Sequence, residues 1–368
     1  MQPDTVLVLH TAAQGALGAR VIDGGDVVHL VASEAGAGWH GQAPPDGADF
    51  WVRDDGSGAV RRDGAWVPAS VIYAGGATLQ RNAGVVDRQL LADRSVAVVG
   101  LGSGGAAIAD LLARAGVGEL VVVDRDRLEP ANIGRHLCDE RDLGRRKTRA
   151  VSDALRRRNP EVQVTAIDLD VVRESDRLAE AVRDAHVLVS ATDSNPSRRV
   201  VNQVALDTGR AAIFGRAYAR AAGGDVLRVL PSGPCFECVY GKVVVEEEVS
   251  SERSAGMAPY ADTDQRPEPG LYLDIAPVAQ MVARLALVEL LRGTGSAVAT
   301  LAEDFDCPLY IWGNRREGSF ENWKPMRAGH KDMAVHRWYG LRAERDPCCP
   351  ICNEDTFLQS LHHAHEDN

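Results

Sequence analysis

Three observations in this 368-residue sequence predict an α/β protein with a mostly parallel sheet flanked by helices, preceded by a small β-rich N-terminal module. From residue 95 onward, short Val- and Ala-rich runs alternate with longer segments of helical periodicity, the pattern of a parallel sheet covered by helices. Gly100, Gly102 and Gly105 fall between the first such run and the first such helix. Two Cys-x-x-Cys pairs, Cys235/Cys238 and Cys349/Cys352, can draw the end of the chain back onto this unit.

The first predicted domain, residues 1–80, has β-rich runs at 5–10, 27–31, 50–53 and 65–73, separated by turns rich in Gly, Asp and Pro. It carries no motif that points to a role. A polar segment compatible with a helix, 79–93, leads into the second domain, 81–368. Strands are expected there at 95–99, 119–124, 162–168, 186–191, 211–215 and 309–312, and helices at 106–115, 147–159, 197–208 and 274–291. Residues 246–270 are Glu-rich and broken by Pro and Gly, and are expected to form a mobile, functional loop.

A formal charge of −11, spread along the chain, argues against nucleic acid or an anionic membrane and favours a protein or small-molecule partner. The two most apolar stretches, 95–123 and 275–291, are interrupted by Asp110, Arg114 and Glu119 and by Gln280, Arg284 and Glu289, so neither reads as a membrane span. The N-terminus lacks a basic and apolar secretory leader, and a cytoplasmic location is expected. In that reducing compartment the four paired cysteines favour metal over disulfides, and a set of four thiolates closes a tetrahedral sphere as a structural zinc does. A redox pair is the rival reading. Cys138, Cys307 and Cys348 remain unpaired.

The glycines spell GxGxxG directly between a strand and a helix, where backbone N–H groups can approach a phosphate at a helix N-terminus. Asp124 follows Gly105 by nineteen residues, at the end of the next strand, where a carboxylate can accept ribose hydroxyls. Together they predict a Rossmann-like adenine-nucleotide site. A nicotinamide-dependent oxidoreductase satisfies the same signal, and so does a glycine turn that serves only strand–helix packing.

The residues after Asp124 separate these readings. The run Asp124-Arg125-Asp126 through Asn132, Arg135 and His136, then Gly144 and Lys147, and further on Thr192-Asp193-Ser194-Asn195 with Arg198 and Asn202, resembles the ThiF/MoeB/HesA family in its bacterial form. Members are adenylyltransferases related to ubiquitin-activating enzymes. The resemblance implies that the chain uses ATP and Mg²⁺ to adenylate the C-terminal carboxylate of a ubiquitin-like or sulfur-carrier protein, or of a peptide. Pyrophosphate would leave, so charge gathers on phosphate oxygens. Arg135 suits bidentate phosphate binding, Lys147 a point charge, Asn132 the orientation of phosphate or ribose, and Asp193 the holding of Mg²⁺. The substrate carboxylate is ionised at neutral pH, so no general base is needed. Arg81, with Arg88 second, is the candidate arginine that the family sends into a partner subunit's phosphate site, and a homodimer is expected. Many relatives carry a thioester-forming cysteine after the first Cys-x-x-Cys, but residues 239–270 contain none. A non-catalytic scaffold that binds a partner through the N-terminal module is the remaining alternative.

Overall fold

A computed structural model describes residues 5–10, 15–22, 27–33, 37–74, 79, 82–241, 269–326 and 332–353. The chain divides into two compact units, Met1–Arg81 and Asn82–Asn368. Among the described residues no helix is long and apolar enough to cross a membrane.

Among the described residues of the first unit seven strands close into a barrel: β1 (Val6–Leu9), β2 (Gly15–Ile22), β3 (Val27–Ala32), β4 (Gly38–His40), β5 (Phe50–Val52), β6 (Gly58–Arg62) and β7 (Ala65–Tyr73), in the order β1-β3-β2-β4-β5-β6-β7. Strand β1 pairs parallel with both β3 and β7, which closes the ring and removes the free edges of an open sheet. Leu7, Leu9, Leu17, Leu30 and Val52 fill the interior. The sequence reading found β1, β3, β5 and β7. It missed β2, in which Gly15 and Gly18 interrupt the apolar alternation, and β4 and β6, which are short and begin on a glycine.

In the second unit α1 (Arg88–Ala92) precedes β8 (Ser95–Val99), α2 (Ser103–Ala115), β9 (Glu119–Asp124), the short α3 (Pro130–Ile133), α4 (Lys147–Arg158) and β10 (Gln163–Asp168). Then come α5 (Ser175–Ala181), β11 (Val187–Ser190), α6 (Asn195–Thr208), β12 (Ala211–Ala217), β13 (Gly223–Val229), α7 (Tyr272–Leu290), β14 (Leu309–Gly313) and β15 (Trp338–Leu341). The sheet order is β10-β9-β8-β11-β12-β13-β14-β15. Strands β8 to β12 run parallel, and β13 to β15 extend the sheet antiparallel.

Alternate residues of each strand feed opposite faces. Val96, Val98, Leu120, Val122 and Val189 pack with Ile108 and Leu112 of α2 and with Val282 and Leu285 of α7. Val99, Val121, Val123 and Leu188 pack on the other face with Leu178 of α5 and Val201 of α6. Burial on both faces explains why these strands read as continuous apolar runs.

Three expectations are adjusted. Among the described residues of 79–93 the α-helix covers only Arg88–Ala92, because Gly84 takes a left-handed φ of +84° and Asp87 then caps a fresh start by accepting the Gln89 N–H. Strands β13 and β15 were not expected, since the glycine pair and buried charges of β13 and the mixed composition of β15 mask their pattern. The loop proposed for 246–270 lies outside the described residues except for Pro269 and Gly270.

Candidate functional site

The chain runs β8, β9, β10 toward one edge and then returns to place β11 on the other side of β8. At such a switch point, connections leaving adjacent strand ends part in opposite directions and open a crevice. Gly100 follows β8 directly with φ +89°, and a Cβ there would stand 2.8 Å from the Ala191 carbonyl oxygen beyond β11. A Cβ at Gly105 would stand 1.8 Å from the Gly100 carbonyl oxygen. The protein's own packing therefore demands both glycines. Gly102 differs: a Cβ on it would meet nothing within 4 Å, and it faces a cleft of about 1420 Å³.

Gly100, Gly102, Asp124, Asn132, Arg135, Lys147 and Asp193 all line this cleft. Gly105 is buried in the first turn of α2 and does not line the cleft. Arg81 lies outside the described residues. Arg88 is on α1 and pairs with Glu161, away from the cleft lining.

Asp124 is committed to shaping the glycine turn. Its carboxylate accepts the Leu101 N–H at 2.6 Å and the Asp126 N–H at 2.8 Å. Lys147, at the first turn of α4, is buried and donates from Nζ to Asp126 at 2.8 Å, while its N–H reaches the Asp126 carbonyl at 3.0 Å. Burial works against its charge. Asp124, Asp126 and Asp193 together outweigh that cost and raise its pKa, so the ammonium persists in the cleft.

Asp193 is exposed and immediately precedes Ser194, whose hydroxyl caps α6 by accepting the Ser197 N–H. Asn132 spends its amide oxygen on the Glu129 N–H at 3.0 Å, closing the start of α3. Arg135 borders Gly270, with Nη1 3.9 Å from where a Cβ would stand.

Three contributors were not singled out as site residues beforehand. Asp126 holds Lys147; its place in the quoted Asp-x-Asp run was the available signal. His136 donates from Nε2 to the Leu101 carbonyl at 2.8 Å and accepts the Cys138 N–H on Nδ1 at 3.1 Å, so it is the neutral Nε2–H tautomer. Burial, and secondarily Lys147, lowers its pKa in keeping with that state. Arg198 is 7% exposed and donates to Asn195 Oδ1 at 2.9 Å within α6 and to the Thr192 carbonyl at 2.7 Å, tying the residue before Asp193 to the helix that follows it. Burial first, then neighbouring Arg216, pushes the Arg198 pKa down to about 10, against the opposing pull of Asp225 and Asp193. Arg216 itself is clasped by both oxygens of Asp225, at 2.9 and 2.6 Å.

Among the described residues, the Sγ atoms of Cys235, Cys238, Cys349 and Cys352 lie within 4.8 Å of one another. The Cys235–Cys349 and Cys238–Cys352 separations are 3.7 and 3.4 Å, far longer than a disulfide's ~2.05 Å. Four thiolates at about 2.3 Å from a tetrahedral ion would stand roughly 3.8 Å apart. The set can therefore hold a metal ion with no open position. Neither remaining buried cysteine resembles a nucleophile. Burial, reinforced by Asp142, pushes the Cys138 thiol up to about 12. The Cys307 thiol is raised by burial and by Asp306. Neither lines the cleft.

The profile of the ThiF family matches residues 77–303, well over half of the chain. The SAMP-activating enzyme E1 of Haloferax volcanii is 36% identical over 154 residues, which are 41% of this chain and 55% of that protein. This chain thus spans about half the length of that relative. The sulfur carrier protein adenylyltransferase of Thermus thermophilus is 32% identical over 273 residues, covering 73% of this chain and 85% of that protein. Among solved structures, E. coli MccB with ATP superposes with a TM-score of 0.51 at 18% identity, over 72% of this chain and 68% of that one, a likeness of fold. On the family match and the breadth of the Thermus alignment, this chain belongs to the ThiF family.

Proposed function

We propose that the cleft joins the C-terminal carboxylate of a ubiquitin-like or sulfur-carrier protein, or of a peptide, to AMP derived from ATP. The observation that carries this reading is the buried Lys147 ammonium, held by Asp126 in a cleft that also presents Arg135, the glycine turn and an exposed Asp193. Fixed cations beside an exposed acid suit a polyphosphate with its metal. Hydride transfer needs no such arrangement. The names of the two relatives above, an activating enzyme and an adenylyltransferase, support the same reading.

ATP would lie with its phosphates over Gly102 and Ser103 at the α2 N-terminus, its ribose near Asp124, and its base against Leu169 and Val171. Arg135 and Lys147 would stabilise phosphate charge, and Asp193 would hold Mg²⁺. When bound, Mg²⁺ supplies Lewis-acid neutralisation of phosphate oxygens. A substrate carboxylate oxygen forms a bond to the α-phosphorus as the bond to pyrophosphate breaks. No proton moves, so orientation supplies most of the catalysis. Because Cys138 and Cys307 are buried with raised pKa values, no cysteine, exposed Cys348 included, lines the cleft, and the stretch 239–270 has none, the chemistry assigned to this chain ends at the acyl-adenylate.

Zn²⁺ is the ion we assign to the four cysteines. The adenylation domain is taken as residues 81–368, and the active form as a homodimer, to be checked by light scattering. ATP–pyrophosphate exchange with a panel of carrier proteins and C-terminal peptides tests the reaction. Exchange dependent on one of them supports it. Exchange that persists in Asp193→Ala would overturn the metal-ligand assignment, and NADH binding without ATP binding would overturn the reading as a whole.

A further inference from the structure

Helix α6 touches the Asp193 loop with one turn and the first cysteine knuckle with the next. Arg198 bonds Asn195 within α6 and the carbonyl of Thr192, the residue before Asp193. Four residues on, and so on the same helix face, Asn202 is 2% exposed and accepts the Phe236 N–H on Oδ1 at 2.9 Å. Phe236 sits between Cys235 and Cys238. Arg199 adds an ion pair to Glu237 of the same knuckle at 3.2 Å.

A second route joins the same two places. The Phe236 ring lies 5.0 Å from that of Tyr240, which lies 3.7 Å from the Arg216 guanidinium. Arg216 and its partner Asp225 form the electrostatic surroundings of Arg198.

We propose that Asn202 and Arg198 are positioning residues that transmit the geometry of the four-cysteine metal site to the Asp193 loop, so that metal occupancy sets the affinity of the cleft for Mg·ATP. The knuckle backbone is held by its two thiolates. Asn202 accepts the Phe236 N–H from a position 2% exposed, so losing that bond leaves a buried acceptor that bulk solvent does not reach. A knuckle that relaxes on metal loss must release this bond or carry α6 with it. The helix is stiff, so a shift at residue 202 appears at residue 198, whose bond to the Thr192 carbonyl ties the residue before Asp193 to α6. A metal that merely fastened residues 349–352 to the fold would leave Arg198 and the loop unchanged.

The nucleotide half of this inference rests on the proposed function; the loop half does not. Hydrogen exchange of the amides of 191–198 is measured on the full chain loaded with Zn²⁺, as wild type and as Asn202→Ala. The variant should retain its Zn²⁺ and the protection of 349–352, while 191–198 exchange about tenfold faster. Unchanged protection of 191–198 in a Zn²⁺-loaded variant overturns the inference. Asn202→Ser, which keeps a side-chain acceptor, should recover part of the protection.

Should the variants fail to fold, wild type alone decides, because coupling is reciprocal. Equilibrium competition for Zn²⁺ against a chromogenic chelator should show about fivefold tighter retention with saturating Mg·ATP than without. Equal retention, with Mg·ATP binding verified by calorimetry, overturns the inference. If wild type binds no ATP, the proposed function fails, and wild-type exchange at 191–198 before and after partial Zn²⁺ withdrawal then decides the coupling: faster exchange supports it, and constant exchange overturns it.

Discussion

His136 and Leu101 tie the loop after β9 to the glycine turn: the imidazole Nε2 proton is donated to the Leu101 carbonyl at 2.8 Å. The Cys138 N–H occupies Nδ1 at 3.1 Å, so a second proton on the ring has no acceptor and would face a donor. The pKa is accordingly lowered, chiefly by burial, so the unfolded chain takes up a proton before the folded chain does. Stability from this group is full above its ordinary value near 6.5 and is lost as pH falls through the folded pKa. His136→Gln cannot titrate. The unfolding free energy of wild type relative to that variant, measured by urea melts, should therefore fall as pH drops from 7 to 5. A constant difference across that range would contradict the assigned tautomer.

The two kinds of glycine in the turn predict opposite behaviour. Gly105→Ala forces a Cβ against the Gly100 carbonyl and should cost about 1–3 kcal/mol of stability along with nucleotide binding. Gly102→Ala meets open space at φ −69°, so its melting temperature should stay within roughly 2 °C of wild type. Its affinity for Mg·ATP should nevertheless fall about tenfold or more, because the methyl group stands where the phosphates approach. Calorimetry and thermal melts on the pair separate the two effects.

Lys147→Met removes the cation that Asp126 holds and leaves three carboxylates without it. Pyrophosphate exchange should drop by about 10²–10³-fold, the usual scale for a transition-state donor. Asp193→Asn should lose a comparable factor and shift the Mg²⁺ requirement upward, whereas Lys147→Met should leave that requirement in place. Titrating exchange activity against Mg²⁺ distinguishes the cation from the metal ligand.

Cys349→Ser opens the tetrahedral set. Zinc content by atomic absorption should fall from one per chain to near zero, with a melting temperature lower by roughly 10 °C. Cys348→Ser, at the exposed neighbour outside the cluster, should change neither quantity.

Cys138→Ser and Cys307→Ser should keep pyrophosphate exchange within about twofold of wild type if they retain the fold, because both thiols are buried, raised in pKa and absent from the cleft lining. Intact-mass spectra after incubation with ATP and an accepted carrier should show an adenylated carrier and no carrier linked to this chain. A thioester adduct would refute the assignment.

Legibility in the sequence followed how local each requirement is. Strands β8 and β9 read correctly to the residue, because burial on both faces leaves an unbroken apolar run. Strand β13 was invisible, because its buried Asp225 and Arg228 are tolerated only through partners on other elements, Arg216 and Glu289. Asn132 read as a phosphate- or ribose-orienting residue and does line the cleft, while the structure adds that its amide oxygen accepts the Glu129 N–H, a local contact that the sequence did not show.

By itself the sequence determined the glycine spacing, the Asp-x-Asp run, the ordered Arg135, Lys147 and Asp193, and two cysteine knuckles. Each is a requirement carried by a residue and its near neighbours: a left-handed φ at Gly100, a close approach at Gly105, a two-residue gap between thiols. Only the tertiary structure decided that Lys147 is buried against Asp126, that His136 secures the glycine turn, and that one face of α6 spans from Arg198 to the Phe236 N–H. Those pairings bring together groups as many as 35 residues apart, and their strength comes from exclusion of water, which exists only once the strands have paired and the helices have covered them.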